Sequence, residues 1–263
     1  MKHWILSAAI IAGIAACATT TSSTGRKQYV GGVSEQQLNQ LGAQAFTEAK
    51  NKGPLSNDAK QNAYVRCVVN ALVRQLPPQS QEVSWETAVF ANSEPNAFAL
   101  PGGKVGVNTG IFSVAKNQDQ LAAVLAHEIG HVVERHHDER ITRQMGASGA
   151  VQLLGALAGD YGALATQGGS MVAQAGFLLP NSRTQESEAD VVGQRLMATA
   201  GFDPEQAVNL WQNMIAAGGG RPPEWLSTHP DPQSRIQELR GRAGTLTPAY
   251  QQARASGHVP KCG

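Results

Sequence analysis

The sequence predicts an α+β fold, mainly helical, with a small antiparallel sheet beside one central helix, and three observations predict it. Apolar residues recur at helical spacing over about residues 34–46, 57–76, 117–135 and 184–200. Between them, residues 82–108 change to a two-residue period, the alternation of strands. Breakers and cap residues such as Ser34, Pro77, Pro78 and Gly201 fall at the borders of these stretches. With 263 residues and 41% hydrophobic content, the chain can close a core of good size.

The first seventeen residues, MKHWILSAAIIAGIAAC, run from a basic start at Lys2 through an apolar stretch to Cys17, the order of a cleavable export signal. The apolar stretch is too short to span a bilayer as a mature helix. Ile14, Ala15, Ala16 and Cys17 resemble the lipobox of bacterial lipoproteins, in which the cysteine is acylated and becomes the first mature residue. Ordinary secretion with Cys17 incidental is the alternative. Alanine at position 18, where aspartate would signal retention, points to an outer-membrane destination facing the periplasm. Residues 1–16 then form a signal peptide, residues 17–30 a lipidated N-terminus and flexible tether, and residues 31–263 the folded domain.

Removing the signal takes away one of 21 basic residues and none of the 20 acidic ones, so the mature chain is formally neutral. Nothing in that balance favours nucleic acid as a partner. Once Cys17 carries lipid, Cys67 and Cys262 remain as an even pair in an oxidising compartment, and a disulfide between them is expected. The alternative is a buried free Cys67 and a frayed Cys262.

Each element has its own signal. Ser34 to Gln37 is a capping box opening a first helix, with Leu38, Leu41, Ala45 and Phe46 on one side. A second helix spans about residues 57–76 until Pro77 and Pro78 end it. EVSWETAVF, residues 82–90, alternates as a strand, and FAL and KVGVN flank Pro101, Gly102 and Gly103 as a hairpin. The next helix starts near Asn117 and runs past Arg135. Residues 145–180, rich in small residues but interrupted by Gln152, Asp160, Gln167 and Gln174, are expected to be helices packed over the body rather than a membrane span. A further helix covers residues 184–200 and stops at Gly201, and Asp203, Pro204 and Glu205 cap the one after it. Residues 218–220 read as a hinge-like break, and STHPDPQSRI, residues 227–236, places His229 on a turn and Arg235 in a short terminal helix.

The chemistry lies in AAVLAHEIGHVVERHH, residues 122–137. Residues four apart on a helix point the same way, so His127 and His131 can reach one metal ion at about 2.0–2.1 Å. Glu128 flanks the place of a water on that ion. Zinc lowers such a water's pKa toward about 7, and the carboxylate can take its proton as hydroxide attacks a peptide carbonyl. The following run, His136, His137, Asp138, Glu139 and Arg140, reads as a solvated face. A third ligand is sought in RTQESEAD, residues 183–190: Glu186 and Asp190 share a helical face, whereas Glu188 points about 200° away. Glu186 is therefore the expected ligand and Asp190 the group that orients a ligating histidine, with Glu188 as the alternative ligand.

HEIGH at 127–131, SRTQESEAD beginning 51 residues beyond it, NAFALPGGKVGVNTG ahead and STHPDPQSRI behind together resemble the HtpX and CAAX-prenyl-protease family of zinc metallopeptidases. The lipoprotein-like start is most similar to its periplasmic, LoiP-like branch. The resemblance, over roughly residues 30–245, implies a zincin-type, gluzincin fold and a zinc metalloendopeptidase with one Zn²⁺ per chain. His127, His131 and Glu186 would hold the ion and Glu128 would catalyse. Asn96, Ala97, Phe98 and Ala99 would offer an edge strand to extended substrate, the alternative being an ordinary hairpin. Arg235 would stabilise the oxyanion or form a salt bridge. His229 would fill the fourth zinc position as a latch. The implied substrates are unfolded or misassembled envelope proteins, with envelope assembly machinery as a further partner. A chaperone or assembly factor with a latched or structural zinc is the other reading.

Overall fold

The computed structural model describes residues 18–157, 181–217, 225, 229 and 232–263. Cys17 and the signal stretch, most of the small-residue region, the break at 218–220 and part of STHPDP lie outside the described residues. Strands β1 (Ala18–Thr21) and β2 (Lys27–Val30) precede helices α1 (Glu35–Lys52), α2 (Ala59–Val73) and α3 (Pro78–Gln81). Then come β3 (Glu86–Phe90), β4 (Ala97–Leu100) and β5 (Lys104–Asn108), followed by α4 (Gln118–Val133), α5 (His136–Leu157), α6 (Arg183–Ala200), α7 (Gln206–Ala217) and α8 (Pro232–Ala255). No described helix is long and apolar enough to cross a membrane.

The start of α1 and the end of α6 fall where the sequence placed them. Ser34 and Gln37 close the capping box of α1, and the carboxylate of Asp58 accepts from the backbone at Lys60 and Gln61 to start α2. Gly201 ends α6 in the left-handed region at φ 81°, which costs glycine nothing.

The three-stranded sheet is mixed, a correction to the expected antiparallel arrangement. FALPGGKVGVN forms the predicted hairpin, β4 against β5, with Phe98 opposite Gly106 and Ala99 opposite Val105. The strand before it pairs parallel to β5, however, giving the order β3-β5-β4. Residues 91–96 can cross the roughly 10 Å of two strand spacings, leaving a slot into which β5 inserts. Strand β4 is therefore at the edge.

The sheet has a different partner on each face. Phe46 of α1 packs with Ala88, Phe90 and Leu100, and the Phe98 ring joins them edge-on to Phe46. Val89, Ala97, Ala99, Val105 and Val107 turn the other way, into the main core with α2, α4, α6 and α7. Helix α4 is the centre of that core, buried from Gln120 to His131.

Three further expectations are corrected. Residues 18–30, expected as a flexible tether, form the β1–β2 hairpin, whose Arg26 is paired with Glu139 and Glu188. Composition suggested a linker, but partners more than a hundred residues away order it. The terminal helix is long rather than short: α8 continues through Pro248 to Ala255 because Leu239, Ala243 and Ala253 are buried against the body, and packing overrides weak propensity. The run from His136 to Glu139 is buried rather than solvated. Arg135 at φ 55° ends α4 and turns the chain, so that α5 directs those side chains inward.

Cys67 and Cys262 are joined as a disulfide with Cα atoms 5.5 Å apart, which fastens the C-terminus to α2. Gln118 reinforces the seam, donating to the Pro260 carbonyl and accepting from the Cys262 amide, both at 2.9 Å.

Candidate active site

Helix α4 begins where Asn117 accepts a hydrogen bond from the Gln120 amide at 2.9 Å, and its small and branched apolar residues let it pass through the core. Helix α6 crosses it at close range. A Cβ on Gly193 would lie 3.0 Å from the His127 amide nitrogen, and one on Gly130 would lie 3.1 Å from the Ala189 carbonyl oxygen. Two missing side chains thus allow the approach that brings Glu186 to the histidines.

The Nε2 atoms of His127 and His131 converge to 3.0 Å, and each is 3.4 Å from a Glu186 carboxylate oxygen. His229 joins them, and the four potential ligand atoms all lie within 4.8 Å of one another, every one on a buried residue. Glu186 Oε1 is buried and, among the described residues, accepts no hydrogen bond. Converging imidazole nitrogens beside an unsatisfied buried carboxylate oxygen are costly without a cation, and three imidazoles with one carboxylate suit zinc.

The surroundings are acidic, as a cation site requires. Burial alone would lower the His127 imidazole, yet Asp190 and Glu186 raise it to about 9. Burial pushes the Glu128 carboxyl up, but His229, His127 and the Trp225 indole hold it below the ordinary carboxylate range. Trp225 donates to Glu128 Oε1 at 2.9 Å, and His229 Nε2 is 3.3 Å from the same oxygen.

Residues 59–243 match peptidase family M48. The chain belongs to that family. It is 43% identical over 160 residues to the mitochondrial metalloendopeptidase OMA1 of Schizosaccharomyces pombe, covering 60% of this chain and 46% of that protein. It is 30% identical over 232 residues to the beta-barrel assembly-enhancing protease of Escherichia coli, covering 84% and 47%. OMA1 of Saccharomyces cerevisiae is 33% identical over 183 residues, covering 66% and 51%. The chain spans about half the length of these relatives.

Within this M48 domain the structure brings His127, Glu128, His131, Glu186 and His229 together, with Asp190 Oδ1 3.0 Å from His127 Nδ1. Glu188, the alternative ligand, faces away and meets His136 at 2.9 Å. Arg235 lies behind the metal-binding group, bonded to Asp190 at 2.7 Å and Glu186 at 2.5 Å, with its guanidinium over the Trp211 ring. Asn96 to Ala99 lead into and along the edge strand, which packs beside α4.

Sequence reasoning missed Trp225 and His136. A signal for Trp225 was present: it precedes His229 by four residues, and the His229 amide donates to its carbonyl at 3.0 Å. His136 had no such signal, because the turn at Arg135 decides which way it points.

Proposed function

We propose that the chain is a zinc-dependent endopeptidase, held by a lipid on Cys17 to the outer membrane, facing the periplasm and cleaving misfolded or misassembled envelope proteins. The observation that carries the reading is the convergence of His127, His131, Glu186 and His229 to within 4.8 Å, with Glu128 beside them.

Bound zinc supplies Lewis-acid chemistry to a scissile carbonyl and to water. The chain's own residues do the rest. Glu128, kept ionised by its neighbours and aimed by Trp225, takes a proton from the attacking water and passes it to the departing amine. Asp190 accepts from His127 Nδ1 and so leaves Nε2 to the metal side. Arg235 spends donors on Asp190 and Glu186, so its role is to hold those carboxylates in place rather than to meet the oxyanion. Extended substrate adds to the outer edge of β4, which no other described strand pairs with, along Asn96, Ala97, Phe98 and Ala99, where main-chain hydrogen bonds are indifferent to sequence. Such an edge suits unfolded chains.

The envelope address rests on the apolar run ending at Cys17 and on likeness to a beta-barrel assembly-enhancing protease. Labelled palmitate entering the wild type but not Cys17→Ser would bear it out.

One observation favours a second reading. Four protein donors can close a zinc site, leaving a latched or structural ion on a chaperone or assembly factor. Incubating the protein with unfolded casein, with and without chelator, separates the two. Cleavage that is lost in Glu128→Gln with zinc still bound supports the peptidase; casein binding without cleavage in the wild type supports the chaperone. A latch further requires His229→Ala to cleave faster, and equal or slower cleavage would exclude it.

A further inference from the structure

We propose that His136, Glu188 and Arg26 form a hydrogen-bonded chain that fixes which nitrogen of His131 faces the metal site, making the N-terminal hairpin a positioning element of that centre. The inference rests on the zinc site proposed above.

His131 turns Nε2 toward His127 and Glu186, and that nitrogen offers a lone pair only if the ring's proton is on Nδ1. His131 Nδ1 lies 2.7 Å from His136 Nδ1, so one of these two atoms carries a proton and the other accepts it. The far nitrogen of His136 settles which. It is 2.9 Å from Glu188 Oε2, and an ionised carboxylate only accepts. A neutral His136 ring therefore carries its one proton on Nε2, so that its Nδ1 accepts and His131 Nδ1 donates. For the neutral ring one arrangement satisfies both hydrogen bonds, and it is the one that presents His131 Nε2 as a ligand.

Glu188 is fixed from the other side by the hairpin. Arg26 donates to it through Nε at 2.8 Å and through its second terminal nitrogen at 2.6 Å, and the Thr24 hydroxyl donates to the other carboxylate oxygen. The same guanidinium grips Glu139 with a pair of bonds at 2.8 and 2.9 Å. Around it, the Ser23 amide donates to Glu134 at 3.0 Å, the Gln28 side chain to the Glu134 carbonyl at 2.7 Å, and the Gly31 amide to Asp138 at 3.0 Å. The hairpin is thus fastened across the turn between α4 and α5 and onto α6, the helices that carry His131 and Glu186.

The two ligands of HEIGH therefore have separate supports. His127 is braced by Asp190 and Arg235, from α6 and α8; His131 is braced by His136 and Glu188, with Arg26 behind them. A residue 105 positions before His131 acts on it through two intermediaries.

The test is zinc affinity of the full chain by chelator competition, together with the visible spectrum of the cobalt-loaded protein. His136→Phe keeps a buried ring but neither hydrogen bond, and should weaken zinc binding about 10–100-fold and alter the cobalt bands. Arg26→Ala, at the surface end of the chain, should weaken it about tenfold, and Arg26→Lys should recover part of the loss. Unchanged affinity and spectrum in His136→Phe, or in Arg26→Ala should His136→Phe not fold, would overturn the proposal while leaving the zinc site intact. A wild type that binds no zinc would instead defeat the proposed function.

Discussion

Trp225 points its indole N–H at Glu128 Oε1 across 2.9 Å, joining two residues 97 positions apart. That hydrogen bond sets where the carboxylate lies relative to the metal-binding group. A hydrogen bond to a charged acceptor is worth about 1.5–3 kcal/mol. Trp225→Phe keeps the ring and removes the donor, so casein turnover should fall about tenfold or more while zinc content stays at the wild-type level.

Gly193 sits against the His127 backbone, with no room for a methyl group except by parting α4 from α6. Gly193→Ala should cost about 1–3 kcal/mol in urea unfolding of the metal-free protein. It should also weaken zinc binding, because Glu186 rides on the helix that moves. A zinc titration of the variant beside its unfolding curve checks both.

Metal and fold should be linked. A ligand that binds only the native state adds about 2.7 kcal/mol at a hundred times its dissociation constant. Zinc should therefore raise the thermal midpoint of the wild type and a chelator should reverse the rise. In Glu186→Ala, calorimetry should find most of that shift gone.

Burial pushes the Glu139 carboxyl up, but hydrogen bonds from Arg26 and Gln185, with the charges of Arg26 and Arg143, hold it below its ordinary value. A carboxyl depressed on folding contributes stability that is complete above the unfolded pKa, about 4.3, and is lost as pH falls through the folded value. The stability difference between wild type and Glu139→Gln should accordingly be constant from neutral pH down to about pH 5 and shrink below it. Urea midpoints measured from pH 7 to pH 3 would reveal a flat difference if the pairing contributed nothing.

The legible parts of the molecule were those governed by local rules. Asn117, Ser34 and Gly201 announce helix ends because their caps are made by neighbours in sequence. Helical rotation puts Glu186 and Glu188 on different faces without saying which face meets the histidines, and α6 keeps them on opposite tasks: one in the metal-binding group, the other under His136. The parts that were not legible depend on distant partners. Nothing within residues 18–30 foretells Glu134, Glu139 and Glu188, which order the hairpin. The parallel pairing of β3 depends on where β5 inserts, and the burial of His136 on one left-handed residue, Arg135. A period of hydrophobicity carries none of these.

The bond between Cys67 and Cys262 encloses α4, α6 and α8 in one covalent ring with a span of 195 residues. A nick anywhere inside that ring leaves both pieces linked. Such a molecule would migrate as a single species on a gel run without thiol and separate into fragments only after reduction, so accumulated backbone damage would stay invisible until the sulfurs were parted.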